Sequence, residues 1–480
     1  MIRKTKIVAT IGPASSSKEV LMKMVNRGVN VCRLNFSHLS HDKAKKIITN
    51  IKAINQELHV HTAILCDLQG PKIRVGELEK PIKLTKGKEV FFSTTKKDNS
   101  AIYVGYTSFA KDVKKGDRIL LDDGKMALSV TQTNGKNKVK AKVNFGGVLQ
   151  SKKGMNLPDT IISLPSVTRK DRKDLAFILN EKIEWIGLSF TRRAEDVIKL
   201  RRIIKKSKTS TARIIAKIEK PEAIKNINEI VELADAVMVA RGDLGVEVPL
   251  HKIPVYQKMI VEKCIAQSKP VVIATQMLES MTDNISATRA EVNDVANSVI
   301  DGADAMMLSG ETSVGKHPVK VIDTMRKIIR DVEASRHNIS KQENTKEPSK
   351  KERFMSSAIC SSACQIAEQT KAKAIITVTY SGFNTITTSS FRPHAFIYAF
   401  TNNHSILNTL SLVWGVQGFY YDRGTTTSKT IKETKEILKE SKLLKKGDLV
   451  RVCRSAVRGD YDFGMSSVRF ICAPKPPISG

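Results

Sequence analysis

The sequence predicts an α/β chain: a parallel (β/α)8 TIM barrel, an all-β domain inserted into it, and an open α/β domain after it. Three observations lead there. Short continuous apolar runs alternate with charged, helix-like stretches. That rhythm breaks once, for a glycine- and lysine-rich segment of short alternating strands. A polar run near residue 340 then precedes a second set of alternating strands and helices. At about 150 residues per domain, 480 residues also fit three domains.

Barrel strands are predicted at 6–11, 29–36, 62–68, 185–190, 213–219, 236–241, 271–275 and 305–309. They read as unbroken apolar runs because a parallel barrel covers both faces of every strand. Helical patterns fit between most of them, at 19–27, 42–57, 166–182, 194–206, 222–234 and 253–268. Residues 71–160 interrupt the repeat with short strands such as Glu89-Val90-Phe91-Phe92 and Val139 to Val143. Removing them leaves roughly the 250 residues of one barrel in 1–70 and 161–337. Residues 336–353 are almost all polar and read as a linker. In the third unit, 338–480, a helix at 354–370 precedes strands near 373–379, 396–400, 416–421, 447–453 and 467–472.

Composition narrows the function. Hydrophobic residues at 41% and charged residues at 27% are ordinary globular values and exclude wholesale disorder. No run approaches the roughly 18 apolar residues of a membrane span, and residues 1–6 lead straight into a strand, so a cytoplasmic, unexported protein is expected. The seven cysteines (32, 66, 264, 360, 364, 453 and 472) are scattered, which predicts free thiols rather than a disulfide framework or zinc site. The net charge of +32 raises the possibility of nucleic-acid binding. Aromatics are only 5%, however, and lysines are spread as pairs and triplets. Solvated helix faces, and a site for phosphates and carboxylates, account for the charge better, with no specific nucleic acid expected.

Active sites of such barrels are built at the carboxyl ends of the strands. Six predicted strand ends carry polar residues there. They are Arg33-Leu34-Asn35-Phe36-Ser37-His38, Asp67-Leu68-Gln69-Gly70-Pro71-Lys72-Ile73-Arg74, Lys217-Ile218-Glu219, Arg241-Gly242-Asp243, Thr275-Gln276 and Ser309-Gly310-Glu311-Thr312. Lys217, Glu219, Arg241 and Asp243 are expected to share one cavity. Glu219 and Asp243 offer hard oxygen ligands suited to Mg2+, with Mn2+ an alternative. Arg33 and Lys217 supply fixed positive charge for a phosphoryl group, and Gly242 admits a carboxylate close to backbone N–H groups.

Nine segments in register then identify a family. KIVATIGP (6–13), RLNFSH (33–38), GPKIR (70–74), KKGMNLP (152–158), IAKIEKP (215–221), ARGDLG (240–245), ATQMLESM (274–281), TRAEVND (288–294) and DGADAMMLSGET (301–312) resemble pyruvate kinase over almost the whole chain. The resemblance implies phosphoryl transfer from phosphoenolpyruvate to ADP, by a homotetramer. It implies that Glu219 and Asp243 hold the divalent ion, while Lys217 and Arg33 act on the phosphoryl group. Gly242, Asp243 and Thr275 would hold the substrate carboxylate, and Thr275 with Ser309 would organise a proton-relaying water. His38, Arg74 and Lys153 would bind nucleotide phosphates, with the inserted domain as a lid. Asn35, Ser37 and Asp67 would line a monovalent-cation region.

Two departures matter. Lys72 stands where potassium-dependent members carry glutamate, and Leu68 where they carry threonine, so K+ is expected not to be required, with the Lys72 ammonium beside Asp67 supplying the charge of the ion. Thr379, Ser381, Gly382 and Thr385 resemble the family's phosphate-gripping loop, but 454–465 lacks the usual glycine-rich ending. A sugar-phosphate or nucleotide effector is therefore left open. Two alternatives stand beside this reading: a phosphoenolpyruvate/pyruvate barrel lyase, and a basic nucleic-acid-binding protein on an enzyme scaffold. Thr288, Arg289 and Glu291 are expected to organise a loop or a subunit contact.

Overall fold

The computed structural model describes residues 3–96, 98, 100–207, 210–335, 351–423, 426–454 and 468–471. Eight parallel strands close a barrel: β1 (Lys6–Thr10), β2 (Val31–Asn35), β3 (Ala63–Asp67), β4 (Trp185–Thr191), β5 (Arg213–Ile218), β6 (Ala236–Ala240), β7 (Val271–Ala274) and β8 (Ala305–Leu308). Each pairs with its sequence neighbours, and β8 closes onto β1 with Lys6 opposite Ala305 and Ala9 opposite Leu308. Alternation within each strand divides its side chains between two cores. Val8, Val31, Leu65, Trp185, Ile215, Met238, Val272 and Met307 fill the barrel interior. Ile7, Cys32, Ile64, Ile186, Ile214, Val237, Ile273 and Met306 face the surrounding helices.

The helices form for local reasons. His41–Leu58 buries Ala44, Ile47, Ile48, Ile51 and Ile54, the i, i+3, i+4, i+7 stripe of an amphipathic helix. Thr168 and Thr288 open Arg169–Asn180 and Arg289–Ile300 with full capping boxes, closed by Asp171 and Glu291. The Glu291 carboxylate also accepts from the Ser280 N–H, so Thr288 and Glu291 do organise a loop, the one that follows β7. The single helix expected at 222–234 is two, Pro221–Lys225 and Ile227–Leu233. Asn226 separates them, with its side chain donating to the Arg192 carbonyl.

The inserted segment forms a six-stranded sheet in the order Met155–Asn156, Arg118–Leu121, Met126–Thr133, Lys138–Phe145, Glu89–Ser93, Ile102–Tyr103. A separate antiparallel pair joins Ile82–Leu84 to Gly147–Leu149. The inserted segment has its own core around Phe92, Phe109, Ile119, Leu128 and Val143. The C-terminal sheet runs Val416–Tyr420, Phe396–Thr401, Ala374–Val378, Val450–Arg454, Val468–Ile471, the last strand antiparallel. Of the expected linker, 336–350 lie outside the described residues, and 351–353 belong to helix Lys351–Gln369. The 454–465 segment also lies outside them, apart from Arg454 at the end of its strand.

The C-terminal domain docks on the amino-terminal mouth of the barrel. Leu412 enters the interior cluster as a plug. Asp304, just before β8, accepts from Arg392 at 2.8 Å and from the Trp414 N–H at 3.0 Å. The Arg392 and Asp304 side chains are 2% and 3% exposed. Removing one partner of such a pair strands a buried charge, so Arg392→Ala is expected to cost about 3–5 kcal/mol. Calorimetry or a urea titration of the full chain checks this; an unchanged melting profile contradicts it.

Candidate functional site

The charged side chains predicted at the strand ends meet at the carboxyl-terminal mouth. Asp67, ending β3, is at the centre. Its Oδ2 accepts from Arg33 Nε at 2.9 Å and lies 3.2 Å from Lys217 Nζ. Lys217 Nζ also lies 2.8 Å from Glu219 Oε1. Arg33 reaches onward to the Thr10 hydroxyl at 3.1 Å. Gly187 on β4 makes this possible, because a Cβ there would lie 2.5 Å from Asp67 Oδ1.

Electrostatics bind the group together. Burial favours a neutral Asp67, but the charges of Lys217 and Arg33 outweigh it and hold the carboxyl below its ordinary value. Burial likewise opposes the Lys217 charge, and Asp67 and Glu219 overcome it, so its pKa rises. Glu219 moves the other way from Asp67. Burial and the nearby Asp243 charge raise it, against the pull of Lys217. Two cations thus face three carboxylates, and the pair that repels is Glu219 with Asp243. A divalent cation between them would remove the repulsion, and the donor set of two hard oxygens suits it. Among the described residues no group of three or more His, Cys, Asp or Glu side chains could hold a metal. Two carboxylates leave the remaining coordination positions to substrate oxygens and water.

Backbone strain surrounds the charges. Phe190, Thr275 and Gln276 have φ of +53°, +70° and +53°, and for a β-branched threonine that conformation is an outlier. At Phe190 it aims the N–H at Glu219 Oε2, 2.6 Å away. At Thr275 it sets the hydroxyl to accept from the Gly242 N–H at 2.7 Å while donating to the Ala274 carbonyl at 2.5 Å. A Cβ on Gly242 would lie 3.3 Å from that hydroxyl oxygen, a contact few residues tolerate.

Arg241 corrects the expectation of a shared cavity. It turns away from Lys217 and Glu219, pairing with Asp294 at 2.7 Å and donating to the Thr275 carbonyl at 2.7 Å. Its neighbour on the chain, Asp243, does face the cleft, where it lines a small cavity with Lys72, Phe190 and Lys220. Ser309 follows β8, and its N–H donates to Glu311. Asn35 accepts from the Ser37 N–H, and Leu68 is buried.

The outer residues form a second, cationic group. Burial, then the charges of Arg74, Lys72, Arg33 and Lys170, lower the His38 pKa, so these cations gather around it. Arg74 donates to the Lys152 carbonyl at 3.1 Å, and Lys153 pairs with Asp122 at 2.9 Å, both at the base of the inserted domain. Lys72 makes no ion pair among the described residues, and Asp67 is neutralised by Arg33 and Lys217 instead. The loop at Thr379 is far along the chain and fold. Thr379 accepts from the Gly382 N–H, and Thr385 shares a hydrogen bond with buried Thr377. A cavity of about 930 Å³ lies elsewhere again, at the amino-terminal mouth against the C-terminal domain. None of the nominated site residues lines it.

Sequence reasoning missed Thr10, Ser189, Phe190 and Gly187. Ser189 accepts from Lys217 Nζ at 2.8 Å and donates to the Leu68 carbonyl at 2.7 Å. For Gly187, Ser189 and Phe190 the signal was their place on β4, a strand whose end carries no charge until Arg192, and for Thr10 it was the carboxyl end of β1.

Comparison with known proteins agrees with this architecture. The family model "Pyruvate kinase, barrel domain" matches residues 2–322, and "Pyruvate kinase, alpha/beta domain" matches 357–462. A pyruvate kinase of Geobacillus stearothermophilus is 40% identical over 465 residues, 96% of this chain and 79% of that protein. One of Staphylococcus aureus is 40% identical over 464 residues, with the same coverage. The fold superposes on a crystal structure of a Cryptosporidium parvum pyruvate kinase with a TM-score of 0.91 and 33% identity, covering 98% of this chain and 96% of that one. The chain therefore belongs to the pyruvate kinase family and is a phosphotransferase.

Proposed function

We propose that the enzyme transfers the phosphoryl group of phosphoenolpyruvate to ADP, giving pyruvate and ATP, with Mg2+ as its divalent ion and no need for K+. The observation that carries this reading is the buried Asp67–Lys217–Glu219 chain, flanked by Arg33. It fixes an ammonium and a guanidinium where a phosphoryl group needs positive charge. Glu219 and Asp243 hold the divalent ion, which supplies charge to the substrate and phosphoryl oxygens when bound. The N–H groups of Gly242 and Asp243, with the Thr275 hydroxyl, orient the substrate carboxylate, which replaces Thr275 Oγ1 as acceptor of the Gly242 N–H and the Ala274 carbonyl as acceptor of the Thr275 proton. As the enol oxygen gives up phosphorus to the attacking ADP oxygen, Lys217 stabilises the charge left on it. A water organised by Thr275 and Ser309 then delivers the proton to carbon. His38, Arg74 and Lys153 hold the ADP phosphates, and the inserted domain, 71–160, excludes water.

A coupled assay for pyruvate and for ATP, with phosphoenolpyruvate and ADP, tests the reading; absence of both products ends it. The same reading places the enzyme in the cytoplasm as a homotetramer. No helix of the described residues is long and apolar enough to cross a membrane. The Thr379–Thr385 loop remains the place to test for a sugar-phosphate or nucleotide effector. Its supporting feature is that the loop leads into the amino terminus of helix Phe383–Ser390.

Potassium independence rests on charge. Lys72 brings an ammonium into the cleft beside His38, and Leu68 offers no side-chain oxygen to an ion. Replacing K+ by Na+ is expected to change kcat less than about twofold. Lys72→Glu should create a potassium requirement, with turnover in sodium buffer reduced by about tenfold or more. A wild-type enzyme that stalls in sodium contradicts the proposal. The lyase and nucleic-acid readings are not favoured by the comparisons.

A further inference from the structure

Two buried charges beside the site have no part in the reaction described above. Lys220 Nζ lies 2.6 Å from Glu247 Oε1, with side chains 6% and 0% exposed. Lys220 directly follows Glu219, and Glu247 stands one helical turn after Asp243 on helix Arg241–Glu247. The ion pair therefore braces together the two segments that carry Glu219 and Asp243.

The same Glu247 oxygen takes a second donor from the inserted domain, Asn156 Nδ2 at 2.6 Å. Tyr106 and Asp112 also bond to Ser163, where the chain re-enters the barrel, but Asn156 is the contact that reaches the helix carrying Asp243. Glu247 Oε2 is buried and has no partner among the described residues. Val246, beside Glu247, also stands close to the inserted domain, since a Cβ on Gly124 would lie 3.6 Å from its Cγ1. A buried ion pair contributes little net stability, but it fixes orientation, because neither charge tolerates losing the other.

We infer that Glu247 is a positioning residue that couples seating of the inserted domain to the geometry of Glu219 and Asp243. Asn156 is the hook and Lys220 the brace. The bond is made without ADP, so seating of the domain over bound ADP keeps Asn156 on Glu247 and holds the Asp243 helix against the Glu219 segment. This deepens the proposed function, since it takes Glu219 and Asp243 as the metal carboxylates.

The test uses the full-length enzyme and the variants Asn156→Ala, Glu247→Gln and their double. Asn156 is only half-buried, so its alanine variant is expected to melt with the wild type. Loss of a hydrogen bond to a charged group should raise KM for ADP about fivefold to tenfold. KM for phosphoenolpyruvate should stay within about twofold, because that site lies wholly in the barrel. Glu247→Gln should raise both KM for ADP and the metal concentration at half-maximal rate. The double variant should be no worse than Glu247→Gln alone, because Asn156 acts through that carboxylate. Hydrogen exchange of residues 75–157 with Mg2+ and ADP gives a readout independent of turnover; Asn156→Ala should lose the protection that the wild type gains. Additive effects, an unchanged KM for ADP in Asn156→Ala, or unchanged protection overturn the inference. A wild-type enzyme with no activity but normal ADP-induced protection would overturn the proposed reaction and leave this coupling standing.

Discussion

Lys217→Met lowers kcat by about a thousandfold or more while phosphoenolpyruvate still binds, because the ammonium acts on charge that develops in the transition state. Three features of its surroundings set that magnitude. Lys217 is buried, its Nζ is held within 3.2 Å of Asp67 and 2.8 Å of Glu219, and Ser189 fixes its direction. The raised pKa of Lys217 keeps it protonated across the working range, so it serves as a fixed charge and does not shuttle a proton. Accordingly, no limb of the pH–rate profile should arise from it below about pH 10. The substitution also leaves Asp67 and Glu219 with one cation fewer, so thermal melts must show that the variant is folded before its rate is read. A kcat within tenfold of wild type, in folded protein, would remove Lys217 from the mechanism.

What could be read from sequence follows from what is local. The eight barrel strands were legible because burial on both faces makes each an apolar run, and their ends differ from the structure by only a residue or two. Helices Arg289–Ile300 and Pro318–Ala334 were not predicted. The first is capped by a box that reads equally as a loop motif, Thr288 to Glu291. The split at Asn226 depends on the Arg192 carbonyl, a partner distant in sequence. The same division holds at the site. Lys217, Glu219 and Asp243 announce themselves by charge at strand ends. Arg241 announced itself in the same way and was misplaced, because only the fold brings Asp294 within its reach. Ser189, Phe190 and Gly187 escaped because their contributions are a hydroxyl, a backbone N–H and the absence of a Cβ. None of these has a compositional signature.

Glu219→Gln tests the other half of the charge arrangement. The amide oxygen can still accept from the Phe190 N–H, but its NH2 then faces Lys217 Nζ, so a thermal melt must show the variant folded before the loss of the hard anionic ligand is read. The metal concentration at half-maximal rate should rise about a hundredfold, and kcat should fall by two to three orders of magnitude at saturating phosphoenolpyruvate, an effect of the order expected for removing one preorganised charge partner. Binding has its own readout, because the Glu219 proton and the metal compete for one carboxylate. Burial, and then Asp243, hold this pKa above the ordinary value. In the metal-free protein the carboxyl therefore contributes stability that is full below pH 4.5 and is lost as pH rises through the raised value. A divalent ion reverses that loss. Calorimetric titration with Mn2+ should show affinity increasing with pH and proton release at the acid end, and both should vanish in Glu219→Gln. Chelating the metal should lower the melting temperature of the wild type at neutral pH and leave that of the variant unchanged. Metal affinity independent of pH in the wild type would place the ion on other ligands.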